Sequence, residues 1–102
     1  MSNRQFSKYA SANIGFEIDH TLYLSNANNG APDTLATSVW QASSSDIIIV
    51  SSAITGNKAQ VRISGGIGGN IYKLENKFTL TSSGYADVDY IEIRVLSDPV
   101  NP

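Results

Sequence analysis

The sequence predicts an all-β domain, and three observations carry that reading. Turn-forming residues recur at short intervals, apolar and polar residues alternate in the runs between them, and no stretch has the three- and four-residue apolar spacing of an amphipathic helix. Regular punctuation of this kind marks a sandwich or a barrel.

The first segment, residues 1–13 (MSNRQFSKYASAN), does not alternate and carries little apolar mass apart from Phe6 and Tyr9. It reads either as a frayed terminus or as an extended arm that docks on a neighbouring subunit through those two rings. Strand-like runs then follow at residues 14–19 and 22–25. The turn chemistry of Asn28-Asn29-Gly30 separates them from a run at 34–41 that contains Trp40, the single tryptophan. Set among β-branched residues, Trp40 reads as a core filler.

After Ser43-Ser44-Ser45-Asp46 comes the apolar run of residues 47–51, and after Thr55-Gly56-Asn57 the run 59–64. In the latter Ala59, Val61 and Ile63 share one face, while Gln60 and Arg62 share the other. Gly65-Gly66 and Gly68-Gly69 lead into residues 70–80. There Tyr72, Leu74, Phe78 and Leu80 alternate with Lys73, Glu75 and Lys77, the pattern of a half-buried antiparallel strand. Asn76 interrupts the apolar face and, if buried, must find partners. Past Ser82-Ser83-Gly84, the run 86–96 places Ile91, Ile93 and Val95 inward against Glu92 and Arg94. The tail, residues 97–102, holds two prolines and cannot continue a central strand. The expected organisation is an arm (1–13), a sandwich domain (14–96) and a tail (97–102). Its core is expected to centre on Trp40, Val61, Ile63, Tyr72, Leu74, Phe78, Ile91, Ile93 and Val95.

Composition narrows the chemistry. The 102 residues contain no cysteine and one histidine. Disulfides, thiolate zinc sites, iron–sulfur clusters, cysteine nucleophiles and intrachain two-histidine metal sites are therefore excluded. Charged residues make up 16% of the chain and the net charge is -2, so no broad cationic field exists to hold a phosphate backbone. The longest apolar run, residues 47–50, is far too short to span a bilayer. The polar first residues predict no targeting leader. No nucleic-acid partner, membrane partner or cofactor is expected.

Four features invite a sharper reading. His20 beside Asp19 could be drawn into a hydrolase triad, but no Gly-x-Ser-x-Gly motif is present, and the serines are explained by turns and solvent-facing strand positions. The Ser64-Gly65-Gly66-Ile67-Gly68-Gly69 cluster lacks the Gly-Lys-Ser/Thr ending of a phosphate loop and reads as a tight connection between strands. Asp87 and Asp89 supply two carboxylates on one strand face, too few for calcium. Trp40, Tyr85 and Tyr90 are the candidate aromatic platforms if the domain binds carbohydrate. No catalytic residue is expected.

The ordered pattern Asp33-Thr34-Leu35, Ser38-x-Trp40, Ala59-x-Val61, Ser64-Gly65-Gly66-x-x-Gly69-x-x-Tyr72, then Asn76, Thr79, Thr81, Gly84 and Ile91-x-Ile93-x-Val95 resembles a known family. It is that of short tailed-phage and prophage virion proteins of the fiber-tail adaptor type, with an immunoglobulin-like β-sandwich. The resemblance covers roughly residues 16–95. Departures are Phe16-Glu17-Ile18-Asp19-His20, where members usually carry an element such as Phe-Asp-Trp, a longer asparagine-rich stretch at 26–32, and a longer N-terminal arm.

The resemblance implies an immunoglobulin-like antiparallel sandwich of about seven strands. It also implies a structural, non-enzymatic role at the tail or neck of a virion, joining the tail to a fiber or other appendage through protein–protein contacts. A homo-oligomer or ring on the particle, made in the host cytoplasm, is the matching expectation. A capsid decoration protein and a carbohydrate-binding module for host attachment are the alternatives.

Overall fold

The computed structural model describes residues 3–99. The chain runs β1 (Asn3–Tyr9), β2 (Ile14–Asp19), a helical turn α1 (Thr21–Leu24), β3 (Leu35–Ala42), β4 (Ile47–Thr55), β5 (Lys58–Gly65), β6 (Ile71–Leu80) and β7 (Ala86–Leu96). The seven strands form a four-stranded sheet in the order β1-β7-β6-β3 and a three-stranded sheet in the order β2-β5-β4. All-β architecture and strand number therefore agree with the sequence.

The inner faces follow from the alternation. In β6, Tyr72, Leu74, Asn76, Phe78 and Leu80 are buried, and in β7 so are Asp89, Ile91, Ile93 and Val95. From the facing sheet come Ile18, Ile47, Ala59, Val61 and Ile63, and β3 of the first sheet adds Trp40 at 7% exposure. Two apolar clusters result. The larger contains Trp40, Val61, Ile63, Tyr72, Leu74, Ile91, Ile93 and Val95, and Phe78 belongs to the smaller with Leu24, Leu35 and Leu80.

Two elements differ from expectation, and the differences cancel in the strand count. Residues 3–9 are not a free arm but a strand, paired in parallel with β7 from Asn3 opposite Tyr90 to Tyr9 opposite Leu96. Sequence alternation misses it because a polar strand can be held by backbone pairing and a few anchors. Phe6 packs on Phe16 of the other sheet at a centroid distance of 5.1 Å. Lys8, 3% exposed, points inward and its Nζ donates to the carbonyls of Tyr9, Ala10 and Gly65. The named strands otherwise pair antiparallel.

Residues 22–25 are not a strand. Asp19 accepts the Thr21 N–H and hydroxyl, and the Leu24 and Ser25 amides reach back to the carbonyls of His20 and Thr21, closing one helical turn. Leu24 is buried and Leu22 is 89% exposed, so a short apolar run had concealed a turn.

Candidate docking surfaces

The interior polar groups are structural. Asn76, fully buried, lies opposite Trp40 on β3 and Asp89 on β7. Its Nδ2 donates to Ser38 Oγ at 2.7 Å, and its Oδ1 lies 3.2 Å from His20 Nε2, a hydrogen bond that requires the proton on that nitrogen. His20 is 2% exposed and stacks on the Phe78 ring at 4.3 Å. The histidine thus bridges the β2–α1 junction to the core. Trp40 Nε1 is buried without a hydrogen-bond acceptor among the described residues.

The glycine cluster answers to close approach and chain reversal. Gly65 and Gly66 have positive φ, and a Cβ on Gly65 would stand 2.4 Å from the Asp46 carbonyl oxygen. The Tyr72 hydroxyl fastens this connection. It donates to Asp46 Oδ2 at 2.9 Å while accepting the Ile67 backbone N–H at 3.0 Å and the Asn70 amide.

At the opposite end Asp33 clamps two loops, accepting the backbone N–H groups of Thr34, Ser82 and Ser83 at 2.8–3.0 Å. These bonds, led by that from Ser82, hold its carboxyl at a pKa of about 2. Asp87 accepts the Tyr23 hydroxyl, and burial together with that carboxylate pushes the Tyr23 pKa up. Among the described residues no group of three or more metal-ligating side chains forms.

Of the three aromatic platforms, Trp40 faces the core. Tyr90 is half-buried with Lys73 Nζ 4.3 Å over its ring, and only Tyr85 is exposed, its hydroxyl donating to Asn29. The two docking candidates also separate: Phe6 is half-buried between the sheets, whereas Tyr9 is 47% exposed beside Leu96.

What remains on the surface is suited to flat contacts. One end of the molecule gathers exposed Tyr9, Ile14, Ile67, Ile71 and Leu96. These lie together because β1, β7 and the 65–70 connection converge there through the Ala10–Leu96 and Gly69–Val95 backbone bonds. A shallow trough on the outer face of the three-stranded sheet is lined by Gly15, Glu17, Ser51, Ala53, Gln60 and Arg62. Small residues on both flanks leave it open, since Gly15 and Ser51 stand opposite Arg62 across the two pairings. Burial of Lys8, which draws its pKa down against the charge of Asp98, was hidden from the sequence because an inward lysine violates the rule that charges face water.

Compared with models of known families, residues 8–94 match the family described as podophage GP4 fiber-tail adaptor protein gp77. No curated protein and no solved structure matches the chain.

Proposed function

The chain belongs to the podophage fiber-tail adaptor family, and from that premise we propose that it joins the tail of a phage particle to a fiber or another appendage by protein–protein contacts. The family match over residues 8–94 carries this reading. The exposed surface supports it, offering flat sheet faces, strand edges and an apolar end. The role is structural, without catalysis or cofactor. Partners are other virion proteins, not nucleic acid or membrane, and copies assemble as a homo-oligomer or ring after synthesis in the host cytoplasm. A ring of this kind multiplies weak contacts through effective concentration.

The sandwich is read as immunoglobulin-like on three grounds. Lettered A to G in chain order, the strands give C-F-G and B-E-D neighbours, as in that fold. The buried tryptophan sits on the third strand. Tyr72, at the start of the sixth, bonds back to the Ile67 amide, the corner this fold uses between its fifth and sixth strands.

Gold-conjugated antibody against the protein, applied to intact and to disrupted particles, tests the role. Label at the neck or tail is the expected outcome. Label over the head would favour decoration instead, and absence of the protein from disrupted particles by mass spectrometry would defeat any virion role.

A further inference from the structure

We propose that the free edge of β2 (Ile14–Asp19) is a strand acceptor, filled in the assembled tail by an extended segment of another virion protein in which apolar and basic residues alternate. This names a partner chemistry for the adaptor reading and rests on it.

The sandwich has four edge strands, and three carry devices that discourage pairing. On β1 Lys8 points inward and is buried. A register shift interrupts β3 between Leu35 and Thr37, and another interrupts β4 between Ile49 and Ser51. Those two strands also lie against each other and close that side of the molecule. The fourth edge, β2, keeps an unbroken register with β5 along its whole length, and holds no proline and no inward charge. On this side β1 and β2 belong to different sheets, are not hydrogen-bonded to each other, and are bridged by the Phe6–Phe16 contact.

The vacancy has a topological origin. In the constant-type immunoglobulin arrangement the first strand pairs with the second, completing a four-stranded A-B-E-D sheet. Here the first strand pairs with the seventh instead, so its usual place beside β2 stands empty and that sheet has three strands. Strand addition at such an edge supplies affinity through main-chain hydrogen bonds and specificity through alternate side chains.

Those side chains define the occupant. The inward residues of β2 are Ile14, Phe16 and Ile18, of which Ile14 is 41% exposed and Phe16 only half-buried, leaving apolar surface to cover. The outward residues are Gly15, Glu17 and Asp19. A strand laid beside them thus places apolar groups toward the core and favours a cation opposite Glu17. The exposed ion pair of Glu17 with Lys58 of β5, at 3.5 Å, lies on its other flank, while Asp19 is held by Thr21.

A second copy of this chain does not fit. Its seven Lys and Arg residues all lie in strands already paired, and the segments outside strands contain none. In β1, Phe6 and Lys8 share one parity, whereas the acceptor demands apolar and basic residues on opposite parities.

The test uses the full-length, isotope-labelled protein and two synthetic heptapeptides, one alternating valine with lysine and one alternating valine with glutamate. The valine–lysine peptide is expected to slow amide exchange at alternate positions of residues 14–19 and to bind at least tenfold more tightly than its acidic counterpart at low salt. Glu17→Lys, a surface change, should reverse that preference, with Glu17→Gln intermediate. Equal binding of both peptides, no binding, or protection appearing on β1 or β4 would overturn the proposal. Purified tails separate the two readings. Absence of the protein from tails sinks the adaptor role, whereas its presence with residues 14–19 exchanging as freely as in the isolated chain sinks the strand acceptor alone.

Discussion

Single side chains hold the ends of this sandwich together, and their chemistry predicts how each end fails. Asp33 has its folded pKa lowered to about 2 by three backbone N–H donors. A depressed carboxylate contributes stability that is fully present above its unfolded pKa, near 4, and is lost as pH falls toward 2. Asp33→Asn should therefore lower Tm at pH 7, and the gap to the wild type should narrow between pH 4 and pH 2. Thermal melts by circular dichroism at those three pH values test this, and a constant gap would refute it. At the other end, Tyr72→Phe removes the hydroxyl that serves Asp46, Ile67 and Asn70. A loss of about 1–2 kcal/mol is expected, with faster amide exchange confined to residues 65–70. Asn76 is a stricter case, because Asn76→Ala leaves both His20 and Ser38 without their buried partner. The need for partners at position 76 was legible in the alternation of residues 70–80, but their identity was not, since His20 lies 56 residues away.

Among the elements, β1 and α1 show where local pattern and tertiary environment part company. Neither the parity nor the composition of residues 3–9 announces a strand, yet β7 offers a free ladder and the strand is held by Phe6 and Lys8. Deleting residues 1–13 should then do more than remove a docking arm. It should expose the β7 edge, lower Tm and promote association, measurable by melting and by light scattering. A truncated protein that melts like the full chain and stays monomeric would show that β1 adds nothing to the fold. Phe6→Ala is the milder probe. For a half-buried ring, a cost of about 1–2 kcal/mol is expected, or roughly 4–16 °C in Tm for a domain of this size. The helical turn at Thr21–Leu24 carries the converse lesson. Apolar residues two apart at Leu22 and Leu24 satisfy strand alternation, but the Asp19 acceptor and the His20 and Thr21 carbonyls close a turn before a strand can form.

At the scale of the whole molecule, the fold commits some side chains to the core and leaves others on exposed faces and edges. Trp40, the strongest aromatic candidate for a sugar platform, is spent in the core. Its fluorescence should accordingly be blue-shifted and poorly quenched by iodide. Red-shifted emission with free quenching would place the ring at the surface and favour the carbohydrate-binding alternative. What stays exposed is a set of sheet faces, an apolar end containing Tyr9 and Leu96, and the edge of β2. An adaptor must hold several neighbours on one small rigid body, and separate faces of a sandwich allow that without a cleft.

The amino-acid order by itself determined the all-β class, six of the seven strands within a few residues, and the alternating core of residues 59–64, 70–80 and 86–96. These are local properties, written in turn chemistry and in a period of two. Tertiary structure alone decided that the first strand pairs with the last, that Lys8 faces inward, and that β2 is left with an open edge. Each depends on which distant strand supplies a hydrogen-bonding partner. Residues 3–9 and 90–96 stand at opposite ends of the chain, so no local pattern encodes their pairing.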